Sequence, residues 1–258
     1  MKKMMFAPDI FAGKTALISG GTSGIGLAAA EILVAGGGNA VLMGRDERRG
    51  LDALYMLKEP ARTRFIAGDV RQRVQCRFVV EETVRIFGAL DILINAAGIY
   101  AEGAIEDLSE DMLQDIFFTN VHGVFYLTQE ALPYLRQTRG NIVQVASDAG
   151  LHGNYFCAAY AATKGAVIAM TRSLALEVAR DGVRVNAAAP ADILTPLTQR
   201  QLDPQRSCVQ QLHEMGQIYP MGRIGTPEEA AAVIAFLASP MASWVTGSVY
   251  AVDGGLMA

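Results

Sequence analysis

Tyr160-Ala161-Ala162-Thr163-Lys164 places a phenol and an ammonium four positions apart. On a helix that spacing puts both side chains on one face, a turn apart. A phenol with its ordinary pKa of about 10 is a poor acid–base catalyst at neutral pH. A fixed cation about 4 Å away favours the phenolate by roughly 4 kcal/mol at an effective dielectric near 20. The spacing therefore predicts that Lys164 lowers the pKa of Tyr160 and makes it a usable general acid or base. Ser147 stands thirteen residues before Tyr160, after the apolar run Ile142-Val143-Gln144-Val145-Ala146. That run reads as a buried strand, so Ser147 sits at a strand's carboxyl end, where open α/β sheets bind ligands. Alone, Tyr-x-x-x-Lys also fits a solvated pair on a helix surface, and its weight comes from its company.

A second group of residues is suited to holding a dinucleotide. Thr15-Ala16-Leu17-Ile18-Ser19 reads as a strand and Leu27 to Val34 as a helix, with Gly20-Gly21-Thr22-Ser23-Gly24-Ile25-Gly26 between them. Gly20, Gly24 and Gly26 meet three needs: a tight turn, backbone close to a pyrophosphate, and a helix packed closely on the sheet. Thr22 and Ser23 add hydroxyls and amides at a helix N-terminus, where anions are favoured.

The second strand, Asn39 to Met43, ends in Gly44-Arg45 rather than in an acid that would bind the 2′-hydroxyl of NAD. Arg45 can grip a 2′-phosphate through its planar fork, so NADP(H) is expected and NAD(H) is the alternative. A purely solvated Arg45, with Arg48 and Arg49 continuing a polar helix face, is the plainer reading.

The elements behind these residues alternate. A third strand, Thr63 to Gly68, ends at Asp69-Val70, where an aspartate could accept from the adenine amino group. Gln72 to Phe87 has an amphipathic period, with Val74, Phe78, Val79, Val84 and Phe87 near helical spacing. Leu90 to Ile94 is a fourth strand ending in Asn95-Ala96-Ala97-Gly98, whose small residues admit a ribose close to the backbone. Strand and helix alternation predicts a doubly wound parallel sheet of about seven strands, a Rossmann-type α/β fold in one domain over 1–258.

Composition supports this reading. The 258 residues are 51% hydrophobic and 19% charged, as in a globular protein with a sizeable core. A net charge of −4 argues against a general nucleic-acid surface. No apolar run reaches membrane-span length, and MKKMMFAPDIFAGK lacks a signal-peptide core, so a cytoplasmic protein is expected. Cys76, Cys157, Cys208 and His122, His152, His213 are too scattered for a disulfide framework or a metal site.

With these pieces assembled, the chain resembles the short-chain dehydrogenase/reductase family. The likeness runs from Gly13-Lys14-Thr15 to Val252-Asp253-Gly254-Gly255. It rests on Gly20, Gly24-Ile25-Gly26, Asp69-Val70, Asn95-Ala96-Ala97-Gly98, Asn120, Ser147, Tyr160, Lys164, Pro190 and Thr195 in order. The resemblance implies that Tyr160 exchanges the substrate proton and that Ser147 hydrogen-bonds the reacting oxygen. It implies that Lys164 holds the nicotinamide ribose. Asn120, within a helical pattern spanning 109–137, would hold a water linking Lys164 to solvent; a helix-kinking amide is a compatible reading. Thr195 and the backbone near Ile193 would hold the carboxamide. The family's usual Pro-Gly is Pro190-Ala191 here, which puts the loop geometry in question.

The helix expected from Ala158 to Arg180 is apolar around much of its circumference, which together with 109–137 implies a homotetramer or homodimer in the resembling family. The least patterned segment, 195–225, is expected to be a substrate lid. Leu197, Leu202, Val209, Leu212, His213, Leu151, His152, Tyr155 and Phe156 are candidate substrate contacts. Asp148 and Asp192 hint at a polyol or sugar-like substrate, while Asp192 could equally cap a turn. The expected activity is NADP(H)-dependent interconversion of a secondary alcohol and a ketone, a 3-oxoacyl thioester or a hydroxylated ketone being open as substrates. The alternatives are an NAD-dependent alcohol or diol dehydrogenase and a non-catalytic cofactor-binding module. Against the module stand the intact Asn120, Ser147, Tyr160 and Lys164.

Overall fold

A computed structural model describes residues 6–258, so Lys2 and Lys3 of the N-terminal reading lie outside the described residues. Seven parallel strands form one sheet: β1 (Thr15–Ser19), β2 (Asn39–Gly44), β3 (Thr63–Ala67), β4 (Ile92–Asn95), β5 (Asn141–Val145), β6 (Arg184–Pro190) and β7 (Val249–Val252). Their order is β3-β2-β1-β4-β5-β6-β7. The chain winds outward from β1 in one direction and from β4 in the other, so a crevice opens between the carboxyl ends of these two strands. This is the Rossmann-type fold that alternation of strand and helix predicts.

Helices cover both faces, which is why the central strands read as continuous apolar runs. Successive residues serve opposite layers. Ala16, Ile18, Ala40, Leu42, Ile92 and Ile94 pack with α1 (Gly24–Ala35), α2 (Glu47–Leu57) and residues of 227–238. Leu17, Val41, Met43 and Leu93 face the other way, against α3 (Arg73–Phe87) and residues of 123–138 and 158–178.

The helices correct the sequence reading in three places. In α3, Val74 and Phe78 point outward, 79% and 52% exposed, and the buried face is Cys76, Val79, Val80 and Thr83. The pattern across 109–137 is two helices, α4 (Glu110–Phe117) capped by Ser109 and α5 (Gly123–Thr138), joined by a π-helical turn over Phe118–His122. Such turns insert an extra residue into the hydrogen-bond ladder and recur at functional sites. The helix bearing Tyr160, α6 (Ala158–Val178), gives way to a 3-10 turn before Arg180 and leaves Leu176 83% exposed.

Segment 195–225 is more ordered than its sequence pattern predicts. It contains α7 (Pro196–Gln199), capped by Thr195, and α8 (Cys208–Gly216), capped by Ser207. A bridge between Ile193 and Gly225 pinches its two ends together. Helix α9 (Pro227–Ala238) follows, started by a capping box in which Thr226 and Glu229 satisfy each other's backbone amides. No helix among the described residues is long and apolar enough to cross a membrane.

Candidate active site

One cleft lies over the carboxyl ends of β1, β4, β5 and β6. Its walls include Gly20, Ser23, Gly24, Ile25, Gly26, Arg45, Ala96, Gly98, Ser147, Tyr160, Lys164, Ile193 and Thr195, all singled out from the sequence. The glycines are required by contact. Gly20 has φ +66°, and a Cβ there would stand 2.8 Å from the Ala96 backbone. A Cβ on Gly26 would run into the Gly20 carbonyl. The turn is thus a cradle that side chains would fill, with bare backbone facing the cleft. Ser23 caps α1 without spending its hydroxyl on the helix's own amides. That leaves a donor at a positive helix end, as an anionic pyrophosphate requires. The residues present therefore fit a dinucleotide.

Other predicted residues lie behind the walls. Thr22 packs toward Gly44. The Asp69 carboxylate is gripped by Arg71 at 2.7 Å, and Arg71 also pairs with Asp115 at 2.7 Å. Burial pushes the Asp69 carboxyl up, but the Arg71 hydrogen bonds outweigh it and hold it below the ordinary range. Val70 sits under Gly123, where an added methyl would touch it. Asn95 is buried and its amide donates to Thr128 at 3.2 Å. Asn120 lies in the π-helical turn. It accepts from the Ile99 amide and donates to the Ile99 carbonyl, both at 2.9 Å, and donates to Thr163 at 3.1 Å. Its amide clamps the loop after β4 to α6 from within the π-helical turn.

The catalytic candidates meet as expected, but their electrostatics differ. Lys164 is buried, and its ammonium donates to the Val145 carbonyl at 2.8 Å. It stands 5.7 Å from the centre of the Tyr160 ring. Burial lowers the Lys164 pKa to about 8. Tyr160 is pushed up to about 12, by burial first, with Asp148, Cys157 and Asp192 adding to it and the Ser147 hydroxyl opposing. The expectation that Lys164 lowers the phenol's pKa is therefore corrected. Burial dominates, and the Lys164 ammonium is turned to the Val145 carbonyl of β5. Tyr160 is a firmly protonated donor here.

Several cleft residues had no signal in the sequence reading. Tyr100 packs edge-on against Tyr160, 5.0 Å between centroids, and its hydroxyl meets Glu102 and Cys157 at 3.0 Å each. Arg49 and Arg200 join Arg45 on the walls, and Asn154 joins the tyrosines. Arg49 lies in the first turn of α2, four residues after Arg45 just past the end of β2, a spacing that could have revealed it. Tyr100 and Glu102 sit on an irregular loop, whose aim no periodicity encodes.

Asp192 lines the cleft and does not cap a turn. Tyr219, in the loop after α8, donates to its carboxylate at 2.8 Å. Burial, Asp148 and Glu102 push its pKa up against that hydrogen bond. Ala191 also lines the cleft, and its φ is not positive, so the methyl is accommodated without the strain that the missing glycine suggested. Of the proposed substrate contacts only Leu197 is on the walls; Val209 and Tyr155 are 78% and 92% exposed.

Residues 20–257 match the family model described as Enoyl-(Acyl carrier protein) reductase. The 3-oxoacyl-(acyl-carrier-protein) reductase of Thermotoga maritima is 40% identical over 248 residues, covering 95% of this chain and 98% of its own. The L-fucose dehydrogenase of Bos taurus is 37% identical over 246 residues, covering 95% and 90%. Among solved structures, a glucose/ribitol dehydrogenase-type protein from Brucella melitensis superposes with a TM-score of 0.91 at 36% identity, over 98% of this chain and 100% of that one. The ligand-free aldohexose dehydrogenase of Thermoplasma acidophilum gives 0.86 at 33%, over 97% and 96%. A near full-length match in sequence and fold, around a cleft with this cradle and this tyrosine, establishes the chain as a member of the short-chain dehydrogenase/reductase family, NAD(P)-using oxidoreductases of CH–OH groups.

Proposed function

We propose that the protein interconverts a secondary alcohol and a ketone with NADP(H), Tyr160 acting as general acid and base. The observation that carries this is the convergence of Ser147, Tyr160 and Lys164 on the same cleft as the glycine cradle. A bound nicotinamide would supply or accept the hydride. Gly20, Ser23, Gly24, Ile25 and Gly26 would hold the pyrophosphate, and Ala96 and Gly98 the nicotinamide-side ribose. Lys164 would reach that ribose's hydroxyls, and Ile193 and Thr195 would fix the carboxamide. In reduction, the carbonyl carbon takes the hydride's electron pair and its oxygen takes the Tyr160 proton. Oxidation returns both. Ser147 orients the reacting oxygen, and segment 195–225 closes over the substrate.

Arg45 and Arg49, both exposed on the cleft wall, favour a 2′-phosphate. In fluorescence titrations NADPH is expected to bind at least tenfold tighter than NADH, about 1.4 kcal/mol. Arg45→Asp should narrow or reverse the ratio. Equal binding in the parent protein would sink the NADP(H) reading and leave an NAD-dependent dehydrogenase of an alcohol or diol. The Asp148 and Asp192 carboxylates on the wall, and the sugars named for several relatives, favour a hydroxylated substrate over an acyl thioester.

The working form is a homodimer or homotetramer. Leu176 on α6, Phe118 and Phe125 around the π-helical turn, and Trp244, which is 99% exposed, give outward apolar surface. Light scattering should return a mass two or four times the 27.6 kDa chain, and a monomer would refute this.

A further inference from the structure

Ser147 has one proton and two claimants. Its hydroxyl lies 2.8 Å from an oxygen of Asp148 and also accepts from the Ala149 amide at 3.2 Å. A carboxylate only accepts, so the Ser147 proton points at Asp148. Toward the cleft Ser147 then offers a lone pair. A ketone oxygen carries no proton and gains nothing from that lone pair. Before Ser147 can donate to it, the charge-assisted bond to Asp148 must be given up.

The carboxylate itself is fixed independently of Ser147. The same oxygen accepts from Ala149 at 2.8 Å, and the other faces the His152 ring at 3.3 Å. It is buried yet forms part of the cleft wall. A substrate donor that reached this oxygen would replace the Ser147 proton and leave the carboxylate satisfied where it is. A donor set beside the reacting oxygen at one hydrogen-bond length meets both partners side by side, because the Ser147 hydroxyl and the Asp148 oxygen are themselves that far apart. Two oxygens on adjacent carbons in a gauche arrangement have this separation.

Building on the alcohol–ketone reading above, we propose that Asp148 recognises a hydroxyl on the carbon next to the reacting one, and that this contact turns the Ser147 proton onto the reacting oxygen. The substrate class is then an α-hydroxy ketone, or a vicinal diol in the reverse direction. The exchange moves hydrogen bonds only. The substrate hydroxyl keeps its proton while donating to Asp148, Ser147 keeps its own while donating to the carbonyl, and Tyr160 still supplies the proton that balances the hydride. Asp148 is thus a specificity residue that acts on the reacting oxygen through Ser147.

The test uses matched ketones with and without the α-hydroxyl: 3-hydroxybutan-2-one against butan-2-one, and 2-hydroxycyclohexanone against cyclohexanone. Reduction is followed with the full-length parent protein, Asp148→Ala and Asp148→Asn. The parent should favour the hydroxylated member by about 100-fold or more in kcat/KM, because a site built to bind a hydroxyl rejects its absence. Asp148→Ala should lower the hydroxylated rate and raise the plain-ketone rate, shrinking the preference below about tenfold. Asp148→Asn keeps an acceptor oxygen and the side chain's shape, so it should fall between, and it serves if the alanine variant does not fold. A rise on the plain ketone is what a merely structural aspartate would not produce. Ketone reduction without hydroxyl preference in the parent, or an equal fall on both members in the variants, overturns the role of Asp148 alone. Failure both to consume the reduced cofactor with any of these ketones and to reduce the oxidised cofactor with any of their alcohols overturns the alcohol–ketone reading and this inference with it.

Discussion

Tyr160→Phe is expected to lower kcat by about 100- to 10,000-fold, the usual worth of a positioned general acid. The physical ground is the state of the phenol. Burial and three acidic neighbours push its pKa up to about 12, so it holds its proton throughout the physiological range. Among the groups around the reacting position, it is the donor whose proton is free to leave for an alkoxide. The ring remains in Phe, so the edge-on contact with Tyr100 survives. Cofactor affinity by fluorescence titration should therefore stay within about twofold of the parent, placing the loss in chemistry and not in binding. A variant that keeps more than about a tenth of its kcat would remove Tyr160 from the proton-transfer role.

The second large effect concerns Lys164, and it couples stability to activity. Its pKa falls from 10.5 to about 8 because burial penalises the charge. An unfolded lysine keeps its proton to about pH 10.4. Between about pH 8 and 10.4 the unfolded chain therefore binds a proton that the folded chain does not, and stability rises with pH across that window. Below it, folding must bury the charge, at a cost on the order of 3 kcal/mol. Lys164→Met removes the charge at similar volume but strips the Val145 carbonyl of its donor, which costs about 1–3 kcal/mol. At pH 7 the cofactor-free variant should be more stable than the parent by up to about 2 kcal/mol in urea unfolding, and less stable by pH 11. Its turnover should fall at least about 100-fold. A variant that is less stable at pH 7 would mean the parent Lys164 is neutral or paired there. The protein tolerates a costly buried ammonium at the place where a ribose would meet it, a stability sacrifice of the kind functional sites make.

Much of the site was legible along the chain. The glycine turn could be read because each glycine answers a local demand: a positive φ at Gly20, and no room for a methyl at Gly26. Strand β1 was legible to the residue because a doubly covered parallel strand is apolar throughout. Tyr160, Lys164 and Ser147 could be placed because helical spacing and the end of a strand are themselves local properties.

Tertiary structure decided what these groups do to one another. The sequence puts Lys164 one turn from Tyr160, but the fold offers it the Val145 carbonyl, and a buried ammonium takes the acceptor within reach. The loop after β4 brings Tyr100 onto Tyr160 across sixty positions of chain. The Asp69 carboxylate is claimed by Arg71, and the Asn120 amide by Ile99 and Thr163. Periodicity records which way a backbone runs and which face is buried. Hydrogen-bond partners and pKa values depend on distances between segments far apart in the chain, and only the folded arrangement sets those distances.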